Sequence, residues 1–203
     1  MSKAEFYNAI RYVMPKGRLT VSQVEGFEAL LKVGSHLPRS HMAYVLATAY
    51  HETGARMVPV REGFAKTDRG ARNAVARLYA RGRISRNYAV EHKKTGQSYY
   101  GRGYVQLTHY DNYRKTGEAL GIDLVNDPDL MLVPVISADA IIWGMEHGSY
   151  RGKSLSTTLP SRVDPTAAQW RSARRVINGD MKKNGTLIGG YAQKFYKALE
   201  KLS

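Results

Sequence analysis

Apolar residues return every three to four positions through most of this 203-residue chain, and no stretch of useful length alternates apolar with polar side chains. A helix buries one stripe at the first period and a half-buried strand one face at a period of two, so the pattern predicts a mainly α fold. The first stripe is Phe6, Ile10, Val13 and Met14, stopped by Pro15 and Gly17. A second helix is expected to start at Ser22, and a third at Ser40, whose hydroxyl suits an N-cap. Asp68 and Asp111 are read as further caps, Pro134 and Pro165 as first-turn prolines, and Tyr191, Phe195, Leu199 and Leu202 as the last stripe. Only Met57 to Phe64 and Tyr104 to Leu107 read as extended, so any sheet is small, and Gly148 to Pro160 is the expected loop between two lobes.

With 43% hydrophobic residues and no repeat or low-complexity linker, residues 1–203 are expected to form a single domain with one cleft. No apolar run approaches the ~18 residues of a membrane span, so no insertion into a membrane is expected. The start of the chain lacks the continuous apolar core of a secretory signal, so synthesis in a cytoplasm is expected. Cysteine is absent, which excludes disulfides, thiolate nucleophiles and Cys-ligated zinc. Charge is the marked bias: 31 Lys and Arg against 17 Asp and Glu give +14. Such a surface attracts polyanions, namely nucleic acid, an acidic membrane or an anionic wall polymer, and the dense run from Arg69 to Arg86 is either a contact region or a solvated helix face.

His51-Glu52 begins like a zinc-protease helix, but position 55 is Ala where the second His belongs, so no metal and no cofactor is expected. Glu52 closes an apolar helix before Thr53-Gly54. The negative helix end and an apolar neighbour would both favour a protonated carboxyl, as a general acid requires. Glu62 follows in an otherwise apolar extended segment and is the candidate partner carboxylate. Glu91 is its rival, in surroundings that read as a solvated charged loop. Two carboxylates flanking a sugar linkage are the minimum for glycoside hydrolysis. Tyr99 to Thr108 gathers tyrosines, glycines, Gln106 and Thr108 into ten positions, which reads either as a cleft floor or as a plain glycine-rich turn. Asn112 and Asn178 are further amide candidates, with capping and turn roles as the ordinary alternative.

These segments resemble glycoside hydrolase family 19, the chitinase family that also includes bacteriophage endolysins. His51-Glu52-Thr53-Gly54 is similar to the family's H-E-T/S-x-G, Tyr99 to Thr108 to its Y-Y-G-R-G-x-x-Q-L-S/T, Asn126 to Leu130 to its N-x-P-x-L, and Ile177-Asn178-Gly179 to its I-N-G. The resemblance implies an α+β lysozyme-like fold with Glu52 as general acid, Glu62 as the base that activates water and Thr108 as the residue holding that water. It also implies that Tyr99, Gln106, Asn112 and Asn178 line the sugar cleft, with inversion at the anomeric carbon. Tyr104 stands where the family has Pro, and Asp111 where it often has Tyr. The Arg frequent near the family's final helix has no clear counterpart, and the loop between the two glutamates is short, as in the phage enzymes.

The expectation is therefore a phage or prophage endolysin, acting as a monomer on peptidoglycan glycan strands once a holin-type lesion opens the membrane. The positive charge is expected to bring it to anionic surface polymers, and nucleic acid is not the expected partner. Chitinase is the nearest alternative, and a basic non-catalytic wall- or nucleic-acid-binding protein is the alternative of another class.

Overall fold

The computed structural model describes residues 2–202. Its helices are α1 (Lys3–Ile10), α2 (Val21–Val33), α3 (Arg39–Glu52), α4 (Asp68–Ala80), α5 (Tyr110–Leu120), α6 (Pro134–Glu146), α7 (Ala167–Ser172) and α8 (Thr186–Leu199). The sheet is a two-residue antiparallel ladder, β1 (Val60–Arg61) against β2 (Arg102–Gly103), with Val60 opposite Gly103 and Arg61 opposite Arg102.

α3 is the axis of the molecule. Every residue from Ser40 to Tyr50 is buried, as expected of a helix that is apolar or small on all sides. α8 packs along it, α2 and α6 lean on its other sides, and α1 and α7 complete the main core. A second cluster of Tyr99, Leu107, Tyr113, Leu124, Met131 and Ala140 lies under α5 and α6. A third joins Ala71 and Val75 of α4 to Ala89 and Tyr100. The helix-dominated fold with a minimal β element is therefore as the periodicity predicts.

Several boundaries move, each for a local reason. α2 starts at Val21 because Thr20 caps it in a reciprocal box with Gln23. Ser40 is no cap. It lies inside α3 with its hydroxyl donating to the Pro160 carbonyl, while His41 Nε2 lies 3.1 Å from the Leu159 oxygen. Those contacts, with Leu155 and Leu159 buried in the main core, make the 148–160 loop a packed strap and not a boundary between lobes. Thr67, not Asp68, caps α4, and Thr166, not Pro165, opens α7 through a box with Gln169. α5 begins at Tyr110, with His109 at its N-cap and Asp111 in its first turn. The 104–107 segment is a turn, and Leu107 bridges back to Arg102.

Candidate active site

Glu52 is the last residue of α3, and the buried Thr53 turns the chain behind it: the Thr53 hydroxyl donates to the Ala49 carbonyl at 2.7 Å and accepts from the Met57 N–H at 3.0 Å. The Glu52 carboxylate does not meet the apolar surface expected of it. Its Oε1 accepts from Arg174 Nη1 at 2.7 Å, and Arg174 is only 2% exposed. The same guanidinium donates through Nε to Asp180 Oδ1 at 2.6 Å and through Nη2 to Asp180 Oδ2 at 3.2 Å. Arg174 thus divides its charge between two carboxylates. Its hydrogen bonds hold Asp180 below the usual carboxylate range, against a weaker upward push from burial. Burial holds the neighbouring His51 below the usual imidazole value.

Sequence reasoning missed Arg174, the partner of Glu52, and Asp180, which shares that guanidinium. A signal for Arg174 existed: it falls four residues after Trp170, on the stripe shared with Ala173 and Ile177, where a cation is out of place unless paired.

Glu62 directly follows β1 and opens a single 3₁₀ turn, Glu62–Phe64. Its N–H donates to the Gly101 carbonyl at 2.7 Å, and its Oε2 accepts from the Gly101 N–H at 3.2 Å and from the Tyr88 hydroxyl at 3.4 Å. Burial raises its pKa above the usual glutamate value, and the two hydrogen bonds oppose that only in part. Burial and the adjacent Glu62 push the Tyr88 phenol up to about 12, so Tyr88 stays a donor. Gly101 makes this approach possible. A Cβ there would lie 2.6 Å from Glu62 Oε2 and 2.7 Å from Gln106 Oε1, so both side chains converge on its Cα.

The remaining candidates divide. Gln106 reaches Gly101, yet its Nε2 is engaged by the Val60 carbonyl at 3.0 Å, which ties the motif to β1. Thr108 is half-buried and its hydroxyl donates to the Gln106 carbonyl at 2.7 Å, leaving oxygen lone pairs to accept. Tyr99 is 3% exposed, with its hydroxyl donating to the Val125 carbonyl and meeting Thr95, so its ring belongs mainly to the second core cluster and only borders the hollow beside Tyr88 and His109. Asn112 is exposed on α5, bonded through Nδ2 to the Thr108 carbonyl at 2.7 Å. Asn178 is also exposed, in the turn between Arg174 and Asp180, and its N–H donates to the Arg174 carbonyl. Glu91 is an exposed surface partner of Arg72 at 2.9 Å.

Arg102 is structural. It is 2% exposed, donates to the Ser98 carbonyl and to Asp129 Oδ1 at 2.7 Å, and lies 3.7 Å over the Tyr100 ring. Asp129 also accepts from Arg61, so one carboxylate joins both strands of the small sheet that presents Glu62.

Backbone strain marks the same region. Of the six non-glycine residues with positive φ among the described residues, five are Ala55, Met57, Phe64, Gln106 and His109, in the segments that frame Glu62 and Gly101. Such conformations persist where the surroundings over-determine them, and they concentrate at functional sites.

A buried central helix ending in an acidic residue, with a second acidic residue directly after one strand of a two-stranded sheet, defines a lysozyme-like α+β fold. The family model of glycoside hydrolase family 19, class I chitinase, matches residues 21–187. The chain belongs to glycoside hydrolase family 19. Among curated proteins it is 39% identical over 92 residues to Chitinase 11 of Oryza sativa subsp. japonica, covering 45% of this chain and 31% of that one. It is also 39% identical over 97 residues to Endochitinase 4 of Solanum tuberosum, covering 43% and 32%. The chain thus spans about a third of the length of these relatives. Among solved structures, a bacterial family 19 chitinase superposes with a TM-score of 0.53 at 24% identity over 98% of this chain and 94% of that one. Chitinase C from Streptomyces griseus gives 0.53 at 22% identity over 99% and 76%. At these identities the superpositions speak to the fold.

Proposed function

We propose that this protein hydrolyses β-1,4 glycosidic bonds, with Glu52 as general acid and Glu62 as general base, and that its substrate is bacterial peptidoglycan. The observation that carries the reading is the setting of Glu62: a half-buried carboxylate converging with Gln106 on Gly101, in a family 19 scaffold whose other candidate acidic residue, Glu52, closes α3. A base works best when its pKa lies near the working pH, and burial moves Glu62 in that direction. In the reaction Glu62 takes a proton from water as the water attacks the anomeric carbon. Glu52 gives its proton to the departing sugar oxygen, and the configuration inverts. Arg174, already shared with Asp180, stabilises the Glu52 carboxylate that remains. In this reading the Thr108 oxygen, which keeps lone pairs to accept, holds the attacking water, and the exposed Asn112 and Asn178 bond sugar hydroxyls.

The endolysin role rests on charge. The +14 balance favours an anionic wall over a neutral polymer. In this role a single-domain monomer is made in the host cytoplasm and reaches the wall through a holin-type lesion. The second reading, a chitinase, is favoured by the similarity to Chitinase 11, Endochitinase 4 and the bacterial family 19 chitinase. Mass spectrometry of products from purified peptidoglycan and from chitin oligomers separates the two. Muropeptides with a new reducing end, formed faster than chitin fragments and lost in Glu52→Gln, support the first. Cleavage of chitin alone supports the second.

A further inference from the structure

Beside Glu62 the surface opens into a depression of about 770 Å³. Its walls are the 83–88 segment after α4 and the start of α5. Tyr88 joins it to the candidate base: the hydroxyl donates to Glu62, and the ring meets His109 edge-on with centroids 5.2 Å apart. Arg83 and Arg86 line the depression and are exposed. Neither has a carboxylate partner among the described residues. Arg86 has only a long contact, 3.5 Å, to His109 Nδ1. This sets them apart from Arg61, Arg72, Arg102 and Arg174, which each hold an Asp or Glu.

The other charges facing this space do not neutralise the two arginines. Asp111 lies on the α5 wall in the helix's first turn, where it complements the positive helix end. Glu91 borders an adjoining hollow that shares Arg86, Tyr88 and His109, and it is already taken by Arg72, while Lys93 adds a further cation. Burial and the nearby Arg86 both hold His109 below the usual imidazole value, so it serves as a neutral hydrogen-bonding group. Two guanidinium forks without a carboxylate partner among the described residues, in a hollow joined to the candidate base through Tyr88, match carboxylates, which they bind in bidentate fashion.

We propose that Arg83 and Arg86 form the anion-reading end of the cleft and select glycans whose sugars carry carboxylates, such as lactyl ethers or acidic stem peptides, over neutral acetamido-glycans. This rests on the reading of Glu52 and Glu62 as the hydrolytic pair. Arg83 and Arg86 are specificity residues in it and take no part in proton transfer.

The test compares kcat and KM on soluble, peptide-bearing peptidoglycan fragments and on chitin oligomers for wild type, Arg83→Gln/Arg86→Gln and the control Arg69→Gln/Arg77→Gln, which removes the same charge from α4. The expected result is a fall of tenfold or more in the ratio of kcat/KM for the anionic over the neutral substrate, carried by KM. It appears only in the first double variant, and Arg83→Lys/Arg86→Lys recovers it in part. An unchanged ratio, or equal falls in both double variants, overturns the proposal. Binding of the same fragments to Glu52→Gln is measured with and without the two arginine changes. A tenfold loss of binding in a protein that proves not to hydrolyse either glycan would sustain the arginine site and refute the hydrolytic reading. Equal competition by a single-stranded oligonucleotide would show a general phosphate-binding patch and also overturn it.

Discussion

Arg174 donates to Glu52 Oε1 at 2.7 Å from a position that is 2% exposed, and it spends its other two contacts on Asp180. Glu52 is therefore anchored at the end of α3 by a cation that cannot relax into solvent. Breaking a buried pair of this kind from one side costs ~3–5 kcal/mol, because it leaves charge uncompensated. Arg174→Gln should lower the melting temperature by roughly 10 °C, on the order expected for a domain of this size, and abolish hydrolysis. Arg174→Lys keeps the charge but loses the fork, and should fall between. Thermal denaturation and turnover on one preparation check this, and a fully stable, active Arg174→Gln would remove the anchor.

Glu62→Gln should lower kcat by ~10²–10⁴ while keeping the fold, since general base catalysis contributes on that scale. Azide or formate should restore part of the turnover in Glu62→Ala. Glu91→Gln should stay near wild type, because Glu91 is an exposed partner of Arg72. The reverse pattern transfers the base role to Glu91.

Activity should fall on the acid side as Glu62 is protonated. Because burial raises its pKa, the acid limb of kcat/KM should have its midpoint above the ordinary glutamate value of ~4.3. The Tyr88 hydroxyl bonds the ionised form and so holds the pKa down. Tyr88→Phe should therefore move the limb to higher pH, and a move to lower pH would contradict the assignment.

How much of this is legible in the sequence follows from what periodicity can carry. The α3 stripe, the Pro134 start of α6 and the dominance of helix all follow from short-range patterns. The sequence points to Asp68 as a cap and to Pro165 as a first-turn residue, because each is a plausible local signal beside the true caps Thr67 and Thr166. Glu52 and Glu62 stand out as acids in apolar segments. Arg174, Asp180 and Tyr88 do not, since their roles come from contacts across 122, 6 and 26 residues of chain, the first two converging on one guanidinium. Tyr99 shows the converse. Its motif reads as cleft floor, but the fold turns most of that ring into the core and leaves it only bordering a hollow.

Gly101→Ala isolates the convergence at the motif. Gly101 does not have positive φ, so the substitution tests space and not backbone freedom. The added methyl would sit 2.6 Å from Glu62 Oε2 and 2.7 Å from Gln106 Oε1 and force both away, at a cost of ~1–3 kcal/mol. Turnover should drop at least tenfold, with circular dichroism unchanged. Wild-type turnover would show that the Glu62 position is not critical.

The most direct test of the hydrolytic assignment is the anomeric configuration of the sugar first released from a soluble β-1,4-linked glycan, followed by proton NMR before mutarotation. Water activated by Glu62 on the face opposite the leaving oxygen, with the proton supplied by Glu52, predicts that the α-anomer appears first, and that neither Glu52→Gln nor Glu62→Gln forms it at an appreciable rate. Initial release of the β-anomer, which requires a covalent intermediate and retention, would contradict the account.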